Sequence, residues 1–186
     1  MLASGSSDGT VKVWNISNGA LVLDIATGRN NRRIALGSNG MLARTSTMDA
    51  NIQIHNSTTG ALITNLTALG PVYGLAFDGS NLFASGGGNK ISLWNTTTWT
   101  AIRNLTGHTS GIGSISFDMA SLIASGSIDK TIRLWNKFTG ALVRILTGHT
   151  DAIKSIAFDN NGILASGSLD KTIKIWRHNS NCNSSR

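Results

Sequence analysis

Leu105-Thr106-Gly107-His108-Thr109 returns as Leu146-Thr147-Gly148-His149-Thr150. Downstream of it, Ile123-Ala124-Ser125-Gly126-Ser127-Ile128-Asp129-Lys130-Thr131-Ile132-Arg133-Leu134-Trp135 returns as Leu164-Ala165-Ser166-Gly167-Ser168-Leu169-Asp170-Lys171-Thr172-Ile173-Lys174-Ile175-Trp176. His108 to His149, Asp129 to Asp170 and Trp135 to Trp176 are each a step of 41 residues. A fixed period of this length marks one supersecondary unit used repeatedly, each copy burying its apolar face on the next.

The Trp that closes the phrase stands at positions 14, 94, 135 and 176, with His55 once in its place, so five units are visible. Each complete unit reads as four short strands, a to d. In the last unit strand a runs from Ile153 to Phe158 and turns at Asp159-Asn160-Asn161-Gly162. Strand b runs from Ile163 to Ser168, turns at Leu169-Asp170-Lys171, and strand c covers Thr172 to Trp176. Strand d is seen one unit earlier, from Ala141 to Leu146. Apolar residues occupy both parities, as in Ile163-Leu164-Ala165, which fits strands covered on both faces. A generic sandwich would also use such strands, but it does not need the echo.

The units differ in quality. The first begins in strand b, with Ser4, Asp8 and Trp14. The second carries Gly28-Arg29-Asn30-Asn31-Arg32-Arg33 where Gly-His stands later, and places Thr45, Asp49 and His55 at the Ser, Asp and Trp positions. The third has Ala68-Leu69-Gly70-Pro71 for Gly-His, a shorter b–c turn, and Asn89 for Asp. The fourth and fifth are complete in their motifs, and the fifth stops after strand c. The expected total is 18 strands in one repeat domain over residues 1–177, followed by a disordered polar tail over 178–186.

His108, Ser125, Asp129 and Trp135, and again His149, Ser166, Asp170 and Trp176, have the chemistry of a hydrogen-bond relay. The indole donates, the hydroxyl accepts and donates, the imidazole bridges and the carboxylate accepts. A hydrolase triad would need Ser, His and Asp once, beside an oxyanion hole. A set present twice, always with a Trp and in a turn, reads as structural. Neither His has Cys or carboxylate partners at zinc spacing, so no metal and no cofactor is expected.

The Gly-His start, the Ser-Gly-Ser-x-Asp-x-Thr run and the closing Trp resemble the WD-repeat β-propeller family. The resemblance covers residues 1–177 and is most specific over 105–177. The family's closing Trp-Asp reads here as Trp14-Asn15, Trp94-Asn95, Trp135-Asn136 and Trp176-Arg177. The resemblance implies an all-β fold of four-stranded antiparallel blades around a central channel, acting as an interaction platform without catalysis. Family members usually close with seven blades. The 18 strands amount to about four and a half, so a piece of a larger ring is expected, ahead of a small closed ring or completion by another molecule. Uncovered sheet faces would favour self-association.

Composition fits this reading. The 186 residues include 21 Gly and 1 Pro and carry a net charge of +7. All nine acids are Asp, seven of them at predicted turns, where a short carboxylate bonds nearby amides. The single Cys182 cannot pair within the chain, which fits a reducing compartment. With no signal-like start and no membrane-length apolar run, a cytoplasmic or nuclear location is expected, with the Asn-x-Ser/Thr sequons left unmodified.

In an up-and-down meander the b–c turns and d–a loops share one rim. That rim is expected to carry Arg29, Arg32, Arg33, Lys90, Lys130, Lys154 and Lys171, with Met48, Ile128 and Leu169 as apolar points beside the turn Asp. Asp78, Asp118 and Asp159 fall on the opposite rim. A basic rim with apolar spots suits an acidic peptide or protein partner, making the chain a scaffold or adaptor. The alternative is nucleic-acid association through the same charge, which lacks an interleaved aromatic platform. An enzyme is the third class, and neither Glu nor an isolated acid–base pair supports it.

Overall fold

A computed structural model describes residues 1–46 and 50–177. Met48, Asp49 and the 178–186 tail lie outside the described residues. Among the described residues there are 18 strands and no helix, arranged as five antiparallel sheets in chain order. Blade one holds β1 (Leu2–Gly5), β2 (Thr10–Trp14) and β3 (Leu21–Ala26), which are strands b, c and d. Blade two holds β4 (Asn31–Leu36), β5 (Met41–Ser46), β6 (Asn51–Asn56) and β7 (Leu62–Thr67). Blade three holds β8 (Val72–Phe77), β9 (Leu82–Gly87), β10 (Lys90–Asn95) and β11 (Ala101–Thr106). Blade four holds β12 (Ile112–Phe117), β13 (Leu122–Ser127), β14 (Ile132–Asn136) and β15 (Leu142–Leu146). Blade five holds β16 (Ile153–Phe158), β17 (Ile163–Ser168) and β18 (Ile173–Arg177). The structure is a partial β-propeller.

Turn chemistry explains why the strands end where they do. Asp118 Oδ1 accepts the N–H groups of Ala120 and Leu122 at 3.0 and 2.7 Å, closing the a–b turn of blade four. Asp78 and Asp159 do the same in blades three and five. The c–d turns use the Asn that follows the closing aromatic residue: Asn136 Oδ1 accepts from Phe138 and Thr139, both at 2.9 Å. The turn needs a side-chain oxygen acceptor at this place, which Asn supplies as an Asp would. These turns end on a left-handed residue, Gly19, Gly60 or Gly140, with φ of 71, 76 and 76°. Blade three puts Trp99 there, at φ 55°. The bulky ring is accommodated by packing edge-on to Phe83, with centroids 6.2 Å apart.

The blades pack face to face through their first strands, so that β4, β8, β12 and β16 succeed one another along the inner side. Polar ties reinforce this column. Ile156 and Phe158 donate backbone N–H groups to Ser114 and Ser116 Oγ at 3.2 and 3.0 Å. The apolar cores lie between blades: Ile91 and Leu93 meet Ile112, Ile115 and Ile123, while Ile132 and Leu134 meet Ile153, Ile156 and Leu164. Burying one such side chain contributes about 1.5–3 kcal/mol. Glycine makes the close approach possible. A Cβ on Gly86 would lie 2.6 Å from Ile112 Cγ2, and one on Gly126 would lie 2.6 Å from Ile153 Cγ2. Strand b of blades three and four thus offers a pit that the next blade fills with an isoleucine.

Two expectations need correction. In blade two the register pairs Arg44 with Gln53 and Thr45 with Ile52, as Ser125 pairs with Arg133 and Gly126 with Ile132. Arg44, not Thr45, therefore occupies the Ser position. The cause is a b–c connection one residue longer than in blade four, which slides the motif relative to the ladder. Arg32 and Arg33 are not loop residues either, because β4 already begins at Asn31. Lys154 likewise lies inside β16. Arg32 and Lys154 stand where the a–b registers shift, between Asn31/Arg33 and Ile153/Ser155, and such bulges re-aim a side chain.

Candidate binding rim and its internal clasps

Strand b of blade four supplies Ser125, strand c supplies Trp135, the b–c turn supplies Asp129 and the loop before β12 supplies His108. The structure brings all four together. Trp135 Nε1–H donates to Ser125 Oγ at 2.9 Å, and Ser125 Oγ lies 2.8 Å from His108 Nε2. His108 Nδ1 lies 2.6 Å from Asp129 Oδ2. With the hydroxyl accepting the indole proton, its own proton goes to Nε2, and a neutral imidazole donates Nδ1–H to the carboxylate. Asp129 is fully used: Oδ2 also takes Thr109 N–H at 3.1 Å, and Oδ1 takes the Thr131 N–H and hydroxyl at 3.0 and 2.7 Å.

Blade five repeats the arrangement. Trp176 Nε1–H reaches Ser166 Oγ at 2.8 Å, Ser166 Oγ lies 2.8 Å from His149 Nε2, and His149 Nδ1 lies 2.6 Å from Asp170 Oδ2. The other blades keep fragments. Trp94 donates to Ser85 at 2.9 Å and Trp14 to Ser4 at 3.1 Å, neither with a His. In blade two the buried Arg44 bonds Asn31 Oδ1 at 3.1 Å and also bonds Gln53, and His55 Nδ1 donates to Gly60 O at 3.0 Å.

Electrostatics follow from this wiring. Burial pushes the His108 pKa below the ordinary imidazole value, outweighing the upward pull of Asp129. For Asp129 burial acts upward, but hydrogen bonds from Thr131, His108 and the Thr109 amide outweigh it and hold the carboxyl at about 2. Asp170 is depressed in the same way, with burial offset by Thr172, the Thr150 amide and His149.

The consequence for the surface is that each turn spends its carboxylate inward. What remains outside is apolar and basic: Ile128 is 45% and Leu169 53% exposed, and Lys130 and Lys171 are exposed beside them. Both lysines hold left-handed backbone, φ 72 and 66°, where blade one uses Gly9. Lys90, Arg29 and Lys154 are also exposed. Arg32 and Arg33 are instead engaged with blade three: the Arg32 guanidinium sits 4.0 Å over the Tyr73 ring, and Arg33 Nε donates to Tyr73 O at 2.8 Å. Tyr73 was not singled out by its chemistry, yet it stands 41 residues after Arg32, at the same bulge position, and that period was the available signal. The opposite rim is not purely acidic, since Lys137 Nζ lies 3.6 Å from Asp78 Oδ2. That rim also holds a cleft of about 520 Å³ lined by Met119, Val143 and Asn160.

Repeated antiparallel blades of three or four strands, four of the five pinned from strand b to strand c by a Trp–Ser bond, define a β-propeller repeat protein. The chain belongs to the WD-repeat family: the family model described as WD domain, G-beta repeat, matches residues 1–15, 99–136 and 140–177. The unmatched stretch between 15 and 99 holds the blades whose clasps are dismantled, although their sheets and cores persist. A search of curated proteins finds no match to the chain. WD repeats generally mediate protein–protein interaction as scaffolds. Among the described residues no helix is long and apolar enough to cross a membrane.

Proposed function

We propose that this chain is a non-catalytic adaptor whose b–c rim holds an acidic peptide or protein segment carrying an apolar anchor. The observation that carries the reading is the inward commitment of Asp129 and Asp170, which leaves Ile128, Leu169, Lys130 and Lys171 as the exposed side chains of these two turns. An acidic ligand gains Coulomb attraction there, and an aliphatic or aromatic anchor gains contact with Ile128 and Leu169. The left-handed lysines support it further, because a non-glycine residue there costs on the order of 1 kcal/mol that Gly9 avoids in blade one. The clasps hold the turns in place. Non-catalysis is supported by Ser125 and Ser166, 0% and 2% exposed, each with its proton committed to the adjacent His.

The test is an array of acidic peptides with and without a central Leu or Phe, probed with wild type and with the Ile128→Asp/Leu169→Asp double variant. Selective capture of anchored acidic peptides, lost in the variant, is the expected result. Equal capture by both proteins would remove the rim from consideration. Binding of a random-sequence oligonucleotide with a steep salt slope, untouched by the double variant, would favour the nucleic-acid reading instead.

A further inference from the structure

The a–b turns of blades two and five end on the same backbone and differ in what holds them. Leu36 pairs with Leu42 as Phe158 pairs with Leu164, so Gly37-Ser38-Asn39-Gly40 stands in register with Asp159-Asn160-Asn161-Gly162. Both finish on a left-handed glycine, with φ of 77° at Gly40 and 76° at Gly162, and both place an exposed asparagine directly before it. In blade five the aspartate holds that asparagine. Asp159 Oδ1 accepts the N–H groups of Asn161 and Ile163 at 2.9 and 2.7 Å, and Oδ2 accepts from Asn161 Nδ2 at 3.4 Å. Gly162 N–H donates to Asp159 O at 3.4 Å. In blade two a glycine takes the aspartate's place. A Cβ on Gly37 would lie 2.5 Å from Asn39 Oδ1, so the Asn39 amide folds back over the space that an aspartate side chain would fill. Among the described residues neither that amide nor Gly40 N–H has a hydrogen-bond partner.

We propose that Asn39 is a site of covalent modification, a spontaneous deamidation that runs through a cyclic imide and needs only water. The deprotonated Gly40 nitrogen attacks Asn39 Cγ, and the new N–C bond closes a five-membered succinimide. The Cγ–Nδ2 bond breaks, and ammonia leaves with the proton that Gly40 gave up. Water then opens the ring at either carbonyl, giving aspartate or isoaspartate. Glycine leaves the attacking nitrogen uncrowded, and an untethered amide is free to turn toward it. At Asn161 the same step is opposed three times: the side-chain amide is tethered, Gly162 N–H is bonded, and the Asp159 carboxylate stands beside a nitrogen that must itself become anionic. That carboxyl is held below its ordinary range by the N–H groups of Ile163 and Asn161, so it keeps its charge. The third Asn-Gly step, Asn18-Gly19, is guarded differently. Gly19 N–H donates to Asn15 O at 2.8 Å, and Asn18 Oδ1 accepts from Ala20 N–H at 3.0 Å. The consequence falls on blade two. Gly40 O accepts Ser57 N–H at 2.8 Å, tying this turn to the c–d turn, and isoaspartate adds a methylene to the backbone just before that bond. Either product also adds one negative charge to a chain of net charge +7.

Incubation of the full chain in heavy-oxygen water at mildly alkaline pH, followed by proteolysis and mass spectrometry, tests this. Label entering at Asn39, Asn161 and Asn18 gives the three rates, and a parallel sample in urea removes the fold. The expected result is that native Asn39 converts severalfold faster than native Asn161 or Asn18, with isoaspartate among its products. In urea the three steps should converge, since each is an asparagine before a glycine and only the folded surroundings differ. Asp159→Ala removes the tether and the charge without touching either asparagine. It should raise the rate at Asn161 severalfold and leave Asn39 unchanged, with circular dichroism showing the fold intact. Native Asn39 no faster than native Asn161 overturns the proposal. So does the same ranking persisting in urea, because local sequence would then explain it, and so does an Asn161 rate indifferent to Asp159→Ala.

Discussion

His108 Nδ1 and Asp129 Oδ2 lie 2.6 Å apart, at the point where a loop, a turn and two strands of blade four meet. The bond joins the inner and outer parts of one sheet through groups that are otherwise costly to bury, so its parts are interdependent. Trp135, 2% exposed, closes the other end of the relay. Trp135→Ala is expected to cost about 3–5 kcal/mol through lost packing. Freeing the Ser125 hydroxyl adds roughly 1 kcal/mol. Urea unfolding checks this, and a loss below about 1 kcal/mol would contradict a packed clasp.

Acid should weaken the clasp in two stages. Folded His108 binds a proton less readily than in the unfolded chain, so protonation favours unfolding. Its contribution is complete above about pH 6.5 and declines as the pH falls below that value. Asp129 has the opposite charge and the same direction of effect: its stabilisation is present above 3.8 and is lost as the pH falls toward about 2. Asp170 follows Asp129. Calorimetry across pH 8 to 2.5 should show a shallow decline starting below 6.5 and a steep one below 4. His108→Gln should flatten the first stage and keep the second. A melting temperature unchanged between pH 7 and 3 would refute the assignment.

The strand bounds of blade five were legible to within a residue because Asp159, Gly162 and the Asp170-Lys171 turn punctuate them and the period repeats them. The relay was legible for the same reason: four complementary polar residues at fixed offsets have few other uses. Blade two was harder to read. One extra residue in its b–c connection moves Arg44 into the Ser place, and a count from motif residues cannot detect where a ladder slips. The Arg29-to-Arg33 stretch looked like loop because its side chains are polar, but a bulge lets β4 start inside it. The inward turn of Asp129 was implied by the relay.

Lys130 and Lys171 offer a test in which stability and binding move oppositely. Each residue sits in left-handed backbone where glycine is unstrained. Lys130→Gly and Lys171→Gly should therefore raise stability by about 0.5–1 kcal/mol each. If the rim holds acidic peptides, the same changes remove a cation and weaken capture severalfold at low salt. Loss of stability would show that the lysine side chains contribute more to the fold than their strain costs. Unchanged capture would separate them from the binding surface.

Gly126 and Gly167 occupy the same place in the same Ser-Gly-Ser phrase, and only their neighbours differ. A side chain at Gly126 collides with Ile153 Cγ2 at 2.6 Å and Ile156 Cγ2 at 3.0 Å, both on a strand pinned by Ser114 and Ser116. Gly126→Val should then cost at least about 1–3 kcal/mol through overpacking between blades. At Gly167 an added Cβ meets nothing within 4 Å, and a β-branched residue in a strand is favoured over glycine by up to about 1 kcal/mol. Gly167→Val should be neutral or stabilising while Gly126→Val lowers the urea midpoint. The contrast depends on the packing partner alone, since local sequence and backbone are shared. Equal losses at both sites would mean that the outward face of blade five is already covered within the single chain.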